Sequence, residues 1–571
     1  MTLRGVVLIV ATALSAAGQG MISRGVKPTA RAASSGRPWY STLTNIARAA
    51  GLTTPTVYGT DTKAVYATET TAGGIAFFDY DGDGWLDIFI VSGTRLDGNP
   101  PEATNRLYHN KHDGTFEDVT DRAGLRRNGW GNGVTIADFD NDGHLDLFVT
   151  YWGENVLYHN NGNGTFTDVT AQAGLAPKEK PPYPFWFSGA TFVDYDRDGY
   201  VDLFITTYID FDAARTPKPG ENEFCNWKGV PTACGPRGLR PGRQFLYHNR
   251  GNGTFEDVSQ KSGIAKAGNC FGLTAVATDL DDDGWPDIFK ACDSTPSQYF
   301  HNNHNGTFTE DGIERGVALN EDGGEQAGMG IAVGDFNNDG VLDLFKTHFA
   351  DDTQGLYQGL GRGQYREVTL KAGIGVETRV IAWGVGIEDL DNDGWPDIFM
   401  VTGNVYPDTE RDLPAYPYRM KPLLFRNLGG TFEQLTTEGG PALAEAHAAR
   451  GAAFGDFDND GDIDIVVWNR NEPPSLFRND LKPGNHWLQV KLTGTKSNRA
   501  AIGARVTVEF DGRKQARAVL SQASFTSVND FRLHFGLGKA TTAKVTVRWP
   551  SGAEQTMDAG KVDRVLAITE K

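Results

Sequence analysis

A nine-residue pattern, D-x-[DN]-x-D-G-x-x-D, is written seven times along this chain, starting at Asp79, Asp138, Asp194, Asp279, Asp335, Asp389 and Asp456. Successive starts lie 59, 56, 85, 56, 54 and 67 residues apart, a period in the range of propeller blades with insertions. A chain of 571 residues is too long for one core, so each repeat is read as one supersecondary unit stacked on its neighbours. The 70 glycines exceed ordinary usage and argue for many tight turns rather than long helices. With 39% hydrophobic residues, wholesale disorder is excluded.

Each unit has the same internal order. A small, apolar run enters the acidic loop (residues 133–137, GVTIA) and an apolar run leaves it (145–149, LDLFV). A third short strand carries Leu-Tyr-His-Asn at 107–110, 157–160 and 246–249, with Tyr-Phe-His-Asn at 299–302. After a Gly turn comes a fourth, at 114–120, 164–170 and 253–259. Four antiparallel strands in seven units predict an all-β, seven-bladed β-propeller. Five residues before the first Asp stands Gly in six units (Gly74, Gly133, Gly189, Gly330, Gly384, Gly451), with Thr274 the exception, as crowding near a propeller axis requires. The seventh unit lacks a fourth strand. Residues 43–52 (LTNIARAAGL) align without gaps on 116–125 (FEDVTDRAGL), so the N-terminal strand is expected to complete the last blade and remove an exposed edge.

Oxygen ligands at alternate positions, with Gly sixth where the turn needs φ > 0, are what a loop wrapping Ca²⁺ requires. The ligand sets are Asp79, Asp81, Asp83 and Asp87; Asp138, Asp140, Asp142 and Asp146; Asp194, Asp196, Asp198 and Asp202; Asp279, Asp281, Asp283 and Asp287; Asp335, Asn337, Asp339 and Asp343; Asp389, Asp391, Asp393 and Asp397; and Asp456, Asp458, Asp460 and Asp464. An EF-hand needs a bidentate Glu at position twelve, where this chain has Ile90, Val149, Ile205, Lys290, Lys346, Met400 and Val467. The reading is one structural Ca²⁺ per loop, about seven in all, because four carboxylates in one short loop repel one another without a cation. The fifth loop, where Asn337 lowers the ligand charge, is the candidate for emptying.

The net charge of −19 disfavours nucleic acid as a partner, and it is concentrated in these loops. Residues 1–18 read as a signal peptide, with Arg4 followed by an apolar run too short to span a bilayer. Residues 19–38 read as a flexible linker, 39–480 as the propeller, and 481–571 as a small β-sandwich-like domain. No later segment spans a membrane, and the chain is taken as secreted, extracellular or periplasmic, and monomeric. Four cysteines in an exported chain are expected to pair, and sequence neighbours are chosen, Cys225 with Cys234 and Cys270 with Cys292.

The acidic hairpin loops resemble those of the integrin alpha-subunit propeller, and the blade pattern resembles FG-GAP/VCBS repeats. Residues 485–552, through Asn485-His486-Trp487-Leu488, Leu533-His534-Phe535-Gly536-Leu537-Gly538 and Trp549-Pro550-Ser551-Gly552, resemble an ASPIC/UnbV domain. Together they are similar to the cartilage acidic protein family. That resemblance implies an exported, calcium-loaded propeller with a β-rich C-terminal module.

No G-x-S-x-G, H-E-x-x-H or C-x-x-C occurs, and His109, His159, His248 and His301 recur at one blade position, which marks them as architectural. Lys496, Arg499, Arg505 and His534 are read mainly as solvated surface. The expected function is a non-enzymatic binding or adhesion module for an extracellular protein or glycan; the alternative is a secreted propeller enzyme acting on polysaccharide. The expected ligand face lies opposite the acidic loops, lined by Trp130, Tyr183, Trp186, Trp383, Tyr406, Tyr416 and Tyr418.

Overall fold

A computed structural model describes residues 20–176 and 183–571, so the expected signal segment lies outside the described residues. Among the described residues before 480, seven four-stranded antiparallel sheets follow the chain in order. Blade 1 runs Ile75–Phe78, Asp87–Ile90, Arg106–Asn110 and Phe116–Asp118, and its acidic loop joins the first two strands. The first strands of the other blades are Gly131–Ala137, Phe185–Val193, Phe271–Thr278, Ile331–Gly334, Ala382–Glu388 and Ala449–Gly455. Each touches the next, and the last returns to Ile75–Phe78, so the circuit is closed. The fold is that of a β-propeller with one sheet per blade.

Leu43–Asn45 supplies the outer strand of the last blade, with Leu43 opposite Asn479 as Phe116 is opposite Asn110 in blade 1. Axis crowding is visible at the repeated glycines. A Cβ on Gly330 would stand 2.1 Å from the Trp383 carbonyl oxygen, and one on Gly451 would stand 1.8 Å from that of Gly73. Both disulfides form as paired from the sequence, Cys225 with Cys234 and Cys270 with Cys292.

Residues 20–38 are not a free linker. The Val26 N–H donates to Asp351 O, that of Thr29 to Gly375 O, and Arg426 Nη1 reaches Arg37 O at 2.8 Å. The segment straps blades 4 to 6 before entering blade 7. Its small, aperiodic sequence reads as flexible because its partners are backbone groups and side chains far along the chain.

The C-terminal module pairs a four-stranded sheet (Arg513–Ala518, Arg505–Phe510, Lys544–Arg548, Glu554–Asp558) with a three-stranded one (Leu533–Gly538, His486–Thr493, Arg564–Thr569). Val506, Val545, Phe535 and Trp549 fill the space between them, and this core runs on into Phe139, Phe148 and Phe192 of blades 2 and 3. Residues 519–532 leave the sandwich and enter the propeller axis as a plug. The Ser524 N–H donates to Ile331 O at 2.7 Å, Ile331 N–H donates back to Ser524 O, Phe77 N–H donates to Val528 O, and Val134 N–H donates to Thr526 O. Gln522 Oε1 accepts from Ala190 N–H, and Asn529 Oδ1 from Phe454 N–H. Phe525 packs edge-on against Trp383 with ring centres 4.9 Å apart. Innermost strands leave backbone groups facing the axis, and this plug supplies hydrogen-bond partners to several of them.

Candidate metal centres

Two backbone positions shape every acidic loop. The fourth residue is left-handed (Gly82, Asn141, Arg197, Asp282, Asn338, Asn392, Asn459), and so is the sixth, Gly84 at φ 91° in the first loop. Gly suits the sixth, and Gly, Asn or Asp suits the fourth in every loop but the third, where Arg197 adopts the same conformation. The tight turn lets the first Asp accept the N–H of the sixth residue, at 2.8 Å for Gly143 onto Asp138 and 2.7 Å for Gly394 onto Asp389. The ninth-position Asp is locked from two sides. Asp87 Oδ2 accepts the Tyr80 N–H at 3.2 Å, and its Oδ1 accepts the Asn110 N–H at 2.8 Å.

What remains is a set of carboxylate oxygens turned inward with nothing to bind. Asp79 Oδ1, Asp196 Oδ1, Asp281 Oδ1, Asp458 Oδ1 and both oxygens of Asp391 are buried without a hydrogen-bond partner. Burial and crowding by like charges raise other carboxyls of the acidic loops, Asp87 to about 9, Asp194 to about 8 and Asp138 to about 7. Orphaned, charge-crowded oxygens on a closed loop fit a hard divalent cation.

The four repeated histidines stand closer to this chemistry than their architectural reading implies. His109 Nδ1 lies 3.4 Å from Asp81 and 3.2 Å from Asp87, and His248 Nδ1 lies 3.4 Å from Asp196 and 3.0 Å from Asp202. His159 and His301 repeat the contact. Blades 5, 6 and 7 carry Gln358, Arg426 and Arg478 at this position, so the seven loops are not chemically equivalent.

Two further ties join the loops into a ring. The Asn that ends each third strand donates to its own loop and to the loop of the preceding blade, as Asn160 Nδ2 does to Leu145 O and Tyr80 O. Blade 5 has Gly359 instead, and there Tyr365 Oη reaches Leu280 O at 2.9 Å. The fourth-position Asn reaches forward, Asn338 Nδ2 to Gly394 O at 2.7 Å and Asn392 Nδ2 to Gly461 O at 3.1 Å. The recurrence of Asn at the strand end is a signal in the sequence that points to this role.

The C-terminal domain covers this face. Arg548 Nη1 meets Asp279 Oδ2 at 2.9 Å, the Ala516 N–H meets Asp335 Oδ2 at 3.0 Å, and Gln489 Nε2 meets Asp456 Oδ2 at 2.9 Å. Arg197 Nε donates to Pro550 O, Asn141 Oδ1 accepts from the Arg499 N–H, and Asn392 O accepts from the Gly538 N–H. Two residues read as solvated surface are therefore interface: His534 is buried and bonded to Asn392 Oδ1 at 2.6 Å, and Arg505 binds Asp282 at 2.8 Å.

The opposite face does not present the expected aromatic surface. Trp186 is 1% exposed and Tyr416 9%, and Trp130, Trp383, Tyr406 and Tyr418 are buried as well. Tyr183 is half-buried, with the Arg215 guanidinium 5.0 Å from its ring centre. Trp130, Trp152, Trp186 and Phe211 pack against one another, and Trp227 packs on Phe349, Tyr406 and Tyr416. The insertions meet one another and bury six of the seven expected rings, all but Tyr183, so that they form a packed core rather than an exposed platform.

An FG-GAP-like repeat model matches residues 79–149, 138–205, 238–289, 279–345 and 389–467, and an ASPIC and UnbV model matches 494–571. Cartilage acidic protein 1 of Homo sapiens is 27% identical over 336 residues, covering 56% of this chain and 47% of that protein. The Mus musculus protein of the same name is 26% identical over 340 residues, covering 56% and 48%. The chain thus spans about half the length of the curated relatives it matches. Among solved structures, a lectin of Agrocybe aegerita recognising non-reducing terminal N-acetylglucosamine is similar at 16% identity and a TM-score of 0.38, over 73% of this chain and 91% of that one. An exotype rhamnogalacturonan lyase is similar at 11% identity and a TM-score of 0.27, over 74% and 90%. The repeat matches together span more than half of the chain and precede the second match, so the protein belongs to the FG-GAP-like repeat family and carries an ASPIC and UnbV domain after its repeats.

Proposed function

We propose that the protein is an exported, calcium-loaded binding module without catalytic activity, recognising an extracellular protein or glycan. The observation that carries this reading is the ring of inward-facing, orphaned carboxylates, each loop tied to the next and the set capped by the C-terminal domain. Such a frame fixes cations in place, with Ca²⁺ held by the first, third, fifth and ninth positions of each loop and supplying structural cross-linking. The ends of the axis support it too. One is filled by residues 519–532, and at the other the buried carboxylates Asp293 and Asp351 are committed to Tyr208 and to Lys228 and Tyr416. Two disulfides and the absence, among the described residues, of any helix long and apolar enough to cross a membrane accord with export.

Elemental analysis after dialysis, followed by a glycan and protein array in calcium buffer, tests the proposal. One Ca²⁺ per loop and a calcium-dependent ligand are expected. A metal-free protein whose melting is indifferent to chelator overturns the calcium part, and turnover of an arrayed polysaccharide overturns the non-enzymatic part.

A further inference from the structure

The acidic loop of blade 1 stands apart from the other six. Among the described residues no hydrogen bond runs from the C-terminal domain to residues 79–87, whereas the second to seventh loops are each bonded to it directly. A cavity of about 270 Å³ occupies the place of that contact. Its apolar wall is offered by the partly exposed Leu145 of blade 2 and Phe531 of the C-terminal domain, backed by the buried Phe77 and Leu86 of blade 1.

The polar groups on its rim are unequal. The Asp79 and Asp138 carboxylates accept N–H groups of their own loops, from Gly84 and from Asp142 and Gly143. Asp530 is paired with Arg532 at 2.6 Å, and Arg532 also bonds Asn459 and Asp456 O. Lys491 and Arg499 are exposed, and neither side chain has an ion-pair partner among the described residues. Asp79 and Asp138 thus belong to the acidic loops and Asp530 to its ion pair, while Lys491 and Arg499 carry no ion pair of their own among the described residues.

We infer that this crevice between blades 1 and 2 and the C-terminal domain binds an organic anion with an apolar body, its carboxylate held by Lys491 and Arg499 and its ring or chain against Leu145 and Phe531. Cavities at domain junctions with few charged groups on an apolar wall are the usual form of a small-ligand site. Charge-assisted bonds from two cations set the preference for an acid over its neutral isostere. The inference rests on the reading of the protein as a binding module and places a ligand site on it.

The test uses the full chain in calcium buffer, with indole-3-acetate as probe and indole-3-acetamide as its uncharged counterpart, followed by saturation-transfer NMR titration. The acid is expected to bind at least about fivefold more tightly than the amide. Lys491→Glu with Arg499→Glu is expected to weaken the acid by about tenfold or more, a loss of about 1.4 kcal/mol or more. Ala500→Trp, which fills the crevice without changing charge, is expected to abolish transfer from both probes. Melting temperature and calcium content serve as folding controls. Equal binding of acid and amide, no transfer to the acid, or full binding in both variants overturns the inference. An array ligand whose affinity survives both variants overturns this crevice as its site and leaves the binding-module reading standing.

Discussion

Arg548 Nη1 lies 2.9 Å from Asp279 Oδ2 and 2.6 Å from Asp282 Oδ1, so one guanidinium of the C-terminal domain closes on the first carboxylate of the fourth acidic loop. Arg315 meets the third-position acid of the same loop, Asp281, at 3.2 Å. No other loop has two of its ligand carboxylates paired with arginine among the described residues.

Neutralised ligands hold a cation less well, so the fourth loop is expected to empty first during graded chelation, ahead of the fifth loop with its Asn337. Arg315→Gln should raise the affinity of that one site by about tenfold, or about 1.4 kcal/mol. Native mass spectrometry across a chelator series reads the order, and unchanged order in the variant defeats the account.

The acidity of the loops sets the pH response. Asp146, Asp138, Asp194 and Asp87 are raised to about 6, 7, 8 and 9 by burial and neighbouring acids. A carboxyl raised in the folded state favours folding while protonated, and that contribution is lost as pH rises through the folded value. Chelated protein should therefore melt at progressively lower temperature between pH 6 and pH 9. Calcium-loaded protein should lack this decline, because the metal takes the place of the protons. Scanning fluorimetry with and without chelator checks both arms, and a chelated protein that gains stability across that range contradicts the assignment.

Phe525→Ala removes a fully buried ring from the axis and should cost about 3–5 kcal/mol. The loss is expected in the melting of the propeller itself, followed by near-ultraviolet circular dichroism. A variant in which only the C-terminal sandwich loosens would show that the plug is a passenger.

Trp186→Ala should likewise destabilise by about 3–5 kcal/mol while calcium content stays constant. If the ring were a ligand platform, the variant would keep its melting temperature and lose only binding.

Deleting residues 39–52 opens blade 7, whereas deleting 20–37 removes the strap that Arg426 and Glu433 hold. Both truncations should lower the melting temperature, the first by more, since only it leaves a sheet edge unpaired. Equal effects would mean that the Leu43–Asn45 pairing contributes little.

Repetition made the blades legible, because seven copies reveal strand order, axis glycines and ligand spacing at once. The closing strand was legible for the same reason, since residues 43–52 copy 116–125. The strap and the plug occur once each and have no period to betray them. Their sequences, rich in small and polar residues, resemble linkers because they satisfy backbone groups rather than bury side chains in a regular pattern. The insertion aromatics misled for a related reason: Trp186 and Tyr416 look like surface rings until the partners they meet, Phe211 and Trp227, are brought over them by the closed ring.

The axial segment also imposes an order on biosynthesis. Residues 519–532 leave the ribosome after every blade has been made, yet they end up inside a circuit whose last blade needs a strand made near the start. The ring can gather while the chain is still growing, but its bore stays wet, with Trp383 and the facing backbone groups of Ile331, Val134 and Phe77 waiting for partners. Maturation therefore waits for residues 519–532: a ribosome that stops after blade 7 releases a wheel without its axle.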